Sequence, residues 1–306
     1  MIVAVTGATG YAGQHIVKRL IEACEHVRAW RRPSSDARGL PDAVEWIEGD
    51  LASPSAAAAL VDGADALVHA ALDHTRGRYR RGEGDDLPGF IEKNVGGSLA
   101  LLTAARTAGV GRAIVFSSRA VFGASEAVGP IADDEPPRPD THYGAAKATL
   151  EAFVRSWGLA DGWPAATLRP TGIYGVIAPV ERSKWFDVVS AALSGKAVPA
   201  RAGGEVHARD VAESVWRLLK ADAETIAGRA FNCSDIVVST RDIVSLVQRI
   251  ADVSGPLPEP ASAPANQMAS DGLAALGVRF GGLPLLERTV AELVEAVRGR
   301  GSPVFS

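Results

Sequence analysis

Short apolar segments alternate with helical patterns through residues 1–170, and this alternation constrains the fold more than any other feature of the sequence. Six segments have the length of strands and are mostly apolar: IVAV (2–5), HVRAW (26–30), VEWI (44–47), ALVHA (66–70), AIVF (113–116) and AATL (165–168). Nearly continuous apolar runs are typical of parallel strands that helices cover on both faces. The sequence therefore predicts an α/β fold built on a doubly wound parallel sheet.

Helix signals occupy the segments between these strands. Residues 11–23 follow the first strand, and Ser53 with Pro54 provides an N-cap and a first-turn proline for the next helix. A longer helix is predicted over residues 90–108. Another is predicted to begin near residue 142, with apolar residues at helical spacing, namely Leu150, Phe153, Val154 and Trp157.

The first predicted strand ends in TGATGYAG, where Gly7, Gly10 and Gly13 are spaced three apart and Tyr11 opens the helix. Glycines between a buried strand and a helix let backbone N–H groups and the helix N-terminus surround a pyrophosphate. The segment therefore predicts dinucleotide binding and a Rossmann domain.

The alternation loosens after residue 170, which predicts a second, less regular part of the chain. The Rossmann domain is assigned residues 1–170 and 206–235, and the smaller substrate-binding part residues 171–205 and 236–306. The proline- and alanine-rich segment 254–267 is predicted to be a long loop within that smaller part.

A serine pair and a tyrosine–lysine pair lie at positions suited to catalysis. The strand RAIVFSS ends in Ser117 and Ser118, and the carboxyl ends of strands in an open parallel sheet face the ligand crevice. Tyr143 and Lys147 are four residues apart in HYGAAK, so a helix places both on one face. A phenol has an ordinary pKa of about 10, and an adjacent ammonium lowers that pKa towards neutrality. These residues predict proton transfer by Tyr143, assisted by Lys147, with Ser118 holding the substrate oxygen.

Composition argues against several other classes of protein. The formal net charge is −4 and 22% of the residues are charged, so the chain has no overall basic field for nucleic acid. No apolar run approaches the roughly 18 residues of a membrane span, and MIVAVTGATG lacks the features of a secretion signal. Cys24 and Cys233 suit neither a disulfide framework nor a metal cluster, and we expect His69, His74 and His207 to be structural. We therefore expect a cytoplasmic protein that binds a small molecule, without a metal and without a nucleic-acid or membrane partner.

Seven motifs follow one another along the chain: TGATGYAG (6–13), GDL (49–51), NVGGS (94–98), SSRAVFG (117–123), DEPPRPDTHYGAAK (134–147), LRPTGIYG (168–175) and HARDVA (207–212). In this order they resemble the extended short-chain dehydrogenase/reductase family, which includes the NAD-dependent epimerase/dehydratases. The resemblance implies that Ser118, Tyr143 and Lys147 are catalytic. It also implies a set of cofactor contacts, comprising Gly7, Thr9, Gly10, Tyr11, Gly13, Asp50, Leu51, Ala70, Ala71, Asn94, Lys147 and Pro170. Within this set Asp50 would meet the adenine, and Lys147 the nicotinamide ribose.

At two places the sequence departs from the family's patterns, and these departures narrow the range of expected reactions and substrates. Dehydratases of the family carry an Asp-Glu pair where this chain has Arg119 and Ala120, which implies that it is not a dehydratase. Nucleotide-sugar enzymes usually place an arginine for the diphosphate where this chain has Gly203, although Arg201 is close by, so a nucleotide-sugar substrate is disfavoured.

The basic segment RGRYRRGEGDD (76–86) is interpreted as a solvated loop, with an anion-attracting lid as the alternative.

Two adjacent arginines, Arg31 and Arg32, end the second predicted strand, where an acidic residue would bind the ribose 2′-hydroxyl of NAD. No Asp or Glu occurs from Val27 to Ser35. The run VRAWRRP also resembles the VRAxVR strand end of NADP-using reductases in this family, in which the final arginine, here Arg32, meets the 2′-phosphate. A phosphate accepts bidentate guanidinium contacts and relieves the repulsion between the two arginines. The expected cofactor is therefore NADP, with NAD as the alternative.

Three functional hypotheses follow. The leading one is an NADP-dependent oxidoreductase that transfers hydride between the nicotinamide and a carbonyl or secondary alcohol of a small molecule. The alternative within the same fold is a sugar or nucleotide-sugar epimerase that oxidises and re-reduces its substrate with tightly held NAD. A non-catalytic nucleotide-sensing protein is the third, and the complete Ser–Tyr–Lys set disfavours it. The resemblance also implies a possible homodimer through the helices around 90–108 and 142–157.

Overall fold

A parallel sheet forms the centre of the molecule, whose computed structural model describes residues 1–75, 82–124, 129–262 and 267–301. In chain order the strands are β1 (Ile2–Thr6), β2 (His26–Arg31), β3 (Glu45–Glu48), β4 (Ala66–His69), β5 (Arg112–Phe116), β6 (Ala165–Pro170), β7 (Gly172–Tyr174), β8 (Ala202–His207), β9 (Arg229–Cys233) and β10 (Ile236–Ser239). Within the described residues, seven strands form one sheet in the order β3-β2-β1-β4-β5-β6-β9, and neighbouring strands are parallel. A smaller sheet has the order β10-β8-β7.

Helices cover both faces of the large sheet. In chain order they are α1 (Tyr11–Glu22), α2 (Pro54–Val61), α3 (Leu87–Ile91), α4 (Ser98–Thr107), α5 (His142–Asp161), α6 (Phe186–Leu193), α7 (Ala208–Lys220), α8 (Ala223–Ile226), α9 (Thr240–Ala251), α10 (Asp271–Ala275) and α11 (Gly282–Gly301). On one face α1 and α7 bury Ile16 and Val215, and on the other α2, α4 and α5 bury Leu60, Leu101 and Leu150. Each such side chain contributes about 1.5–3 kcal/mol by leaving water. The predicted doubly wound α/β class is confirmed.

The start of α5 follows from its sequence, but one residue of its predicted apolar face is exposed. The Thr141 hydroxyl caps the helix by accepting from the Gly144 N–H at 3.1 Å. Leu150 and Val154 are buried, as predicted, whereas Phe153 is 42% exposed and packs on the Trp157 ring instead. Phe153 precedes Val154 by one residue, which is about 100° around the helix, so it lies outside the face that meets the sheet.

The helix predicted over residues 90–108 is longer and less regular than expected. It begins with α3 at Leu87, continues through a π-helical segment, Glu92–Gly97, and ends with α4. Gly97 brings this segment against the GDL motif, because a Cβ there would lie 2.1 Å from the carbonyl oxygen of Leu51. π-Helical turns inside α-helices are frequent at functional sites.

The C-terminal part has its own apolar core, in which α6, α9 and α11 bury Val189, Val244 and Val290. Segment 254–262 has neither helix nor strand, as predicted for a loop. Residues 76–81 of the basic segment lie outside the described residues, so neither interpretation of that segment is tested. Among the helices of the described chain, none combines the length and apolar character that a membrane span requires.

Candidate functional site

The carboxyl ends of β1, β4, β5 and β6 lie next to one another, because these strands are consecutive neighbours in the sheet. Four of the predicted site residues are at these ends: Gly7 after β1, Ala70 after β4, Ser118 after β5 and Pro170 at the end of β6. The strand order reverses between β1 and β4, which is where ligands bind in open α/β sheets. Residues that are more than a hundred positions apart in the sequence therefore lie together at the carboxyl-terminal edge of the sheet.

The glycine loop after β1 fits a dinucleotide pyrophosphate. Gly7 has a φ of +73°, and a Cβ there would lie 2.7 Å from the carbonyl carbon of Ala70 and 2.8 Å from the nitrogen of Ala71. A Cβ on Gly13 would lie 2.0 Å from the carbonyl oxygen of Gly7. The N-cap of α1 is Gly10, which has no side chain to cover the helix N-terminus. Backbone N–H groups and the helix dipole thus remain available to an anion.

A buried chain of hydrogen bonds fixes this loop to the neighbouring elements. Ser98 donates to the carbonyl of Asn94 at 2.6 Å, so at 2.8 Å it accepts from His69 Nε2. His69 Nδ1 then accepts from the Thr6 hydroxyl at 2.7 Å, and Thr6 accepts from the Ala71 N–H at 3.2 Å. Burial lowers the pKa of His69 to about 3, so the ring is neutral near pH 7. His69 has the structural environment that the sequence predicts, and its tautomer is fixed by its neighbours.

Tyr143 and Lys147 lie one turn apart on the buried face of α5. Lys147 Nζ donates to the carbonyl of Phe116 at the end of β5, at 2.7 Å. Tyr143 packs against Ala120. Ser118 lies between these two contact points, and its Oγ accepts from the Ala120 N–H at 3.2 Å. The structure therefore brings the three predicted catalytic side chains to one segment at the carboxyl end of β5.

The surroundings of this pair are apolar. Tyr143 is 9% exposed and packs in a cluster with Phe90, Ala120 and Ala146, and Leu72 lies at the cluster's edge. Burial lowers the pKa of Lys147 from 10.5 to about 8, and the charge of Glu151 opposes that change. Lys147 therefore remains mostly protonated at pH 7.

Glu151 belongs to a buried ion pair that the sequence reasoning missed. Its two carboxylate oxygens accept from Arg169 Nε and Nη2 at 2.8 and 2.7 Å. Arg169 also donates to the carbonyl of Asp133 at 2.8 Å, and its guanidinium lies 4.8 Å from the centre of the Phe122 ring. The pair ties α5, one turn beyond Lys147, to β6. The sequence shows a glutamate four residues after Lys147, but its partner, Arg169, is 18 residues away and in a different element, so the pair could not be predicted.

Arg31 and Arg32 lie at the rim of the crevice, where β2 ends. The Arg31 guanidinium stacks on the Trp46 ring at 5.4 Å. Arg32 is held by its backbone N–H, which donates to Ser35 Oγ at 3.2 Å, while its guanidinium lies 3.8 Å from Asp73. The two guanidinium groups thus have different partners, and the Asp73 contact had no sequence signal.

Several predicted cofactor contacts are engaged within the protein. Asn94 donates both amide hydrogens, to the carbonyls of Asp73 and Phe90 at 2.8 and 3.0 Å, and it accepts from the Asp73 N–H at 2.7 Å. Asp50 Oδ1 accepts from the Ala52 N–H at 2.9 Å. Asn94 therefore shapes the loop after β4, and Asp50 with Leu51 shapes the turn after β3.

The N-terminal turn of α1 is fastened to the C-terminal part. The Tyr11 hydroxyl donates to the carbonyl of Gly175 at 2.7 Å and accepts from the Lys184 N–H at 2.6 Å. The carbonyl of Thr9 accepts from Arg182 at 3.5 Å. Tyr11 thus connects the start of α1 to the segment between β7 and α6.

Arg119, Ala120 and Gly203 are the positions at which the sequence departs from the family's dehydratase and nucleotide-sugar patterns. Ala120 is buried, and Arg119 donates to the carbonyl of Gly123 at 3.4 Å, so neither dehydratase position presents a carboxylate. Near Gly203, Glu205 is paired with Lys184, and burial raises the pKa of Glu205. Among the described residues, no three His, Cys, Asp or Glu side chains are grouped so that they could hold a metal ion.

Comparison with known proteins identifies a family. The sequence model of the "NAD dependent epimerase/dehydratase family" matches residues 3–234. The UDP-glucose 4-epimerase of Azospirillum brasilense is 33% identical over 214 residues, which cover 64% of this chain and 58% of that protein. The 3 beta-hydroxysteroid dehydrogenase/Delta 5-->4-isomerase of Mycobacterium tuberculosis is 32% identical over 184 residues, 56% of this chain and 47% of that protein. The chain thus spans about half of the length of the curated relatives it matches.

Solved structures share the fold over nearly the whole chain. The UDP-glucose 4-epimerase of Thermotoga maritima, crystallised with UDP-glucose, superposes with a TM-score of 0.81 at 20% identity, over 99% of this chain and all of that one. The UDP-glucose 4-epimerase of Thermus thermophilus, in complex with NAD, gives 0.78 at 23% identity, over 98% and 99%. At these identities the likeness shows the fold alone.

Proposed function

The chain belongs to the NAD dependent epimerase/dehydratase family, and from that premise we propose that it is an NADP-dependent oxidoreductase acting on a carbonyl or secondary alcohol of a small molecule. The observation that supports the proposal is that the α5 pair meets the residues next to Ser118: Lys147 Nζ donates to the carbonyl of Phe116 at the end of β5, and Tyr143 shares an apolar cluster with Ala120. This set of groups suits proton transfer to or from an oxygen atom.

The residues that would hold the cofactor are those of the glycine loop, with Ala70 and Ala71 behind Gly7 and the two arginines at the end of β2. When bound, the nicotinamide supplies hydride to a carbonyl carbon or accepts it from an alcohol carbon. The chain's own part is to position the substrate oxygen and to move one proton.

Three side chains, Ser118, Tyr143 and Lys147, have separate roles in positioning the substrate oxygen and moving the proton. Ser118 Oγ donates a hydrogen bond to the substrate oxygen, which holds the reacting carbon in place. In the reductive direction Tyr143 gives its phenolic proton to that oxygen, and in the oxidative direction the phenolate takes the proton back. The phenolate needs stabilisation near neutral pH, because an unperturbed phenol has a pKa of about 10. The Lys147 ammonium, buried one helical turn away, supplies part of that stabilisation.

The preference for NADP is proposed from the end of β2. The first acidic residue after the strand, Asp36, is already bonded to Arg38 at 2.6 Å, so it is a poor acceptor for a ribose hydroxyl. A 2′-phosphate would meet Arg31 and Arg32. We expect NADP(H) to bind at least about tenfold more tightly than NAD(H). Replacing Arg31 and Arg32 together by alanine should remove most of that preference by weakening NADP binding alone.

Isothermal titration calorimetry with each cofactor tests this preference on the wild type and on the double variant. Equal affinity of the wild type for both cofactors would overturn the NADP assignment. NAD is the alternative, since the Thermus thermophilus epimerase is described in complex with NAD.

An NAD-dependent sugar or nucleotide-sugar epimerase is the second candidate function, because relatives with the names of UDP-glucose 4-epimerases match the chain. The two functions differ in stoichiometry. The oxidoreductase consumes one reduced cofactor per substrate converted, whereas an epimerase interconverts its substrate without net consumption. Following reduced-nicotinamide absorbance and product together separates them. A non-catalytic nucleotide-sensing protein would show binding without either change.

The proposal also covers the excluded reaction, the division of the chain, its location and its oligomeric state. The Arg119 and Ala120 positions support an enzyme that is not a dehydratase. We also propose that the Rossmann domain comprises 1–170 and 206–235, and the substrate-binding part 171–205 and 236–306. A cytoplasmic location and a homodimer through α4 and α5 are proposed as well. Sedimentation of the purified protein tests for the homodimer.

A further inference from the structure

Asp73, in the loop after β4, contacts both a π-helical segment and the end of β2. Its backbone N–H and carbonyl bond with the Asn94 side chain at 2.7 and 2.8 Å. One carboxylate oxygen lies 2.8 Å from Lys93 Nζ, and the other lies 3.8 Å from Arg32 Nη1. The π-helical segment therefore fixes the backbone of Asp73, while its carboxylate is shared between two cations.

The contact between Asp73 and Arg32 joins the two sides of the proposed cofactor crevice. In the sheet β1 lies between β2, which precedes Arg32, and β4, which precedes Asp73. The ion pair therefore connects loops on either side of the glycine loop that follows β1. A dinucleotide on that loop, with its adenosine ribose at the end of β2, must approach Arg32 where the Asp73 carboxylate now lies.

We propose that Asp73 moderates the cofactor specificity that Arg32 provides, as the counter-anion of Arg32 that the 2′-phosphate of NADP replaces. The inference rests on the proposed function only in that the crevice must bind a nicotinamide dinucleotide. The exchange is easy because the pair is solvated: the Arg32 side chain is 58% exposed and that of Asp73 is 35% exposed. After the exchange Asp73 still has Lys93 at 2.8 Å, so its charge is not left without a partner.

The effect of Asp73 differs between the two cofactors. A 2′-phosphate competes with the carboxylate for the Arg32 guanidinium and is repelled by its charge. The 2′-hydroxyl of NAD carries no charge, so it neither competes with the carboxylate for Arg32 nor is repelled by it. Asp73 therefore weakens the binding of NADP selectively. Replacing it with asparagine keeps the size of the side chain and leaves the backbone groups that bond with Asn94.

Isothermal titration calorimetry of Asp73→Asn with NADP(H) and NAD(H) tests the inference. We expect the ratio of the Kd for NAD to the Kd for NADP to rise about threefold over the wild type, which is the size of effect that a solvated ion pair supports. In an Arg32→Ala background the same substitution should lose most of this effect on the ratio. A matched control is Asp161→Asn, which removes a carboxylate from a partly exposed pair with Arg106 at the far end of α5 and should leave the ratio unchanged.

The outcomes separate this inference from the proposed function. The wild-type ratio alone tests the NADP assignment, and a wild type that prefers NAD overturns it. The change of the ratio on Asp73→Asn tests the role of Asp73, whichever cofactor the wild type prefers. If both affinities change equally, Asp73 only shapes the loop and the inference is wrong. A shift of equal size in the Arg32→Ala background also overturns it, because Arg32 would then have no part.

Discussion

Replacing Lys147 by methionine should change how the stability of the protein depends on pH. Lys147 is 5% exposed, and burial lowers its pKa from 10.5 to about 8 in the folded protein. Between these two pH values the unfolded chain binds more protons than the folded one, so stability rises with pH through that window and falls as the pH drops through 8. The difference amounts to about 1.3 kcal/mol between pH 7 and pH 9. Methionine is also unbranched, is only one heavy atom shorter than lysine and has no titrating group.

Urea unfolding of the cofactor-free wild type and of Lys147→Met at pH 7, 8 and 9 measures this effect. Groups that titrate elsewhere contribute equally to both proteins and cancel in the difference. The lost hydrogen bond to the Phe116 carbonyl shifts the stability of the variant by a nearly constant amount, about 1–3 kcal/mol. The wild type should gain stability relative to the variant as the pH rises. Parallel pH dependences would refute the argument that Lys147 is charged and desolvated at neutral pH.

Three further predictions concern the site. Tyr143→Phe should abolish turnover and leave nucleotide affinity nearly unchanged in calorimetry, because the hydroxyl acts on the reacting oxygen; retention of more than a few per cent of kcat would show the assignment to be wrong. Glu151→Gln leaves Arg169 buried without its carboxylate and should cost about 3–5 kcal/mol in urea unfolding; Glu151→Met with Arg169→Met should cost less, and an equal or larger loss in the double variant would contradict this reasoning. No dehydrated keto-deoxy sugar should form from any nucleotide-hexose, because Arg119 and Ala120 supply no carboxylate; mass spectrometry that detects one would overturn that exclusion.

The sheet could be predicted from the sequence because its strands are short, apolar and separated by helix signals. Each of the six strands predicted up to residue 170 is present, with its boundaries within two residues. The helix over 90–108 was only partly predicted, since the π-helical segment depends on the contact of Gly97 with Leu51, which is remote in sequence. Phe153 is exposed although it has helical spacing with the buried Leu150, because periodicity alone does not mark the edge of the buried face.

The proposed catalytic residues, Ser118, Tyr143 and Lys147, and the glycine loop could be named because local motifs carry them. The contacts that position them could not, because they join residues from different strands and helices. Thr6, His69 and Ser98 form one chain of hydrogen bonds although each lies in a different element. Asn94 was expected to touch the cofactor, and the structure shows its amide bonded to the loop at Asp73. Nothing in the sequence around Asp73 marks that loop as the partner of Arg32.

Native mass spectrometry of the purified protein, with release and identification of any nucleotide, is the most direct test of the proposed oxidoreductase function. An NADP-dependent oxidoreductase exchanges its cofactor in each cycle. The protein should therefore carry no nucleotide-sugar, and it should take up one NADP(H) per chain when that cofactor is added. A protein that retains NAD through purification, together with a nucleotide-sugar, would contradict the oxidoreductase function and identify an epimerase.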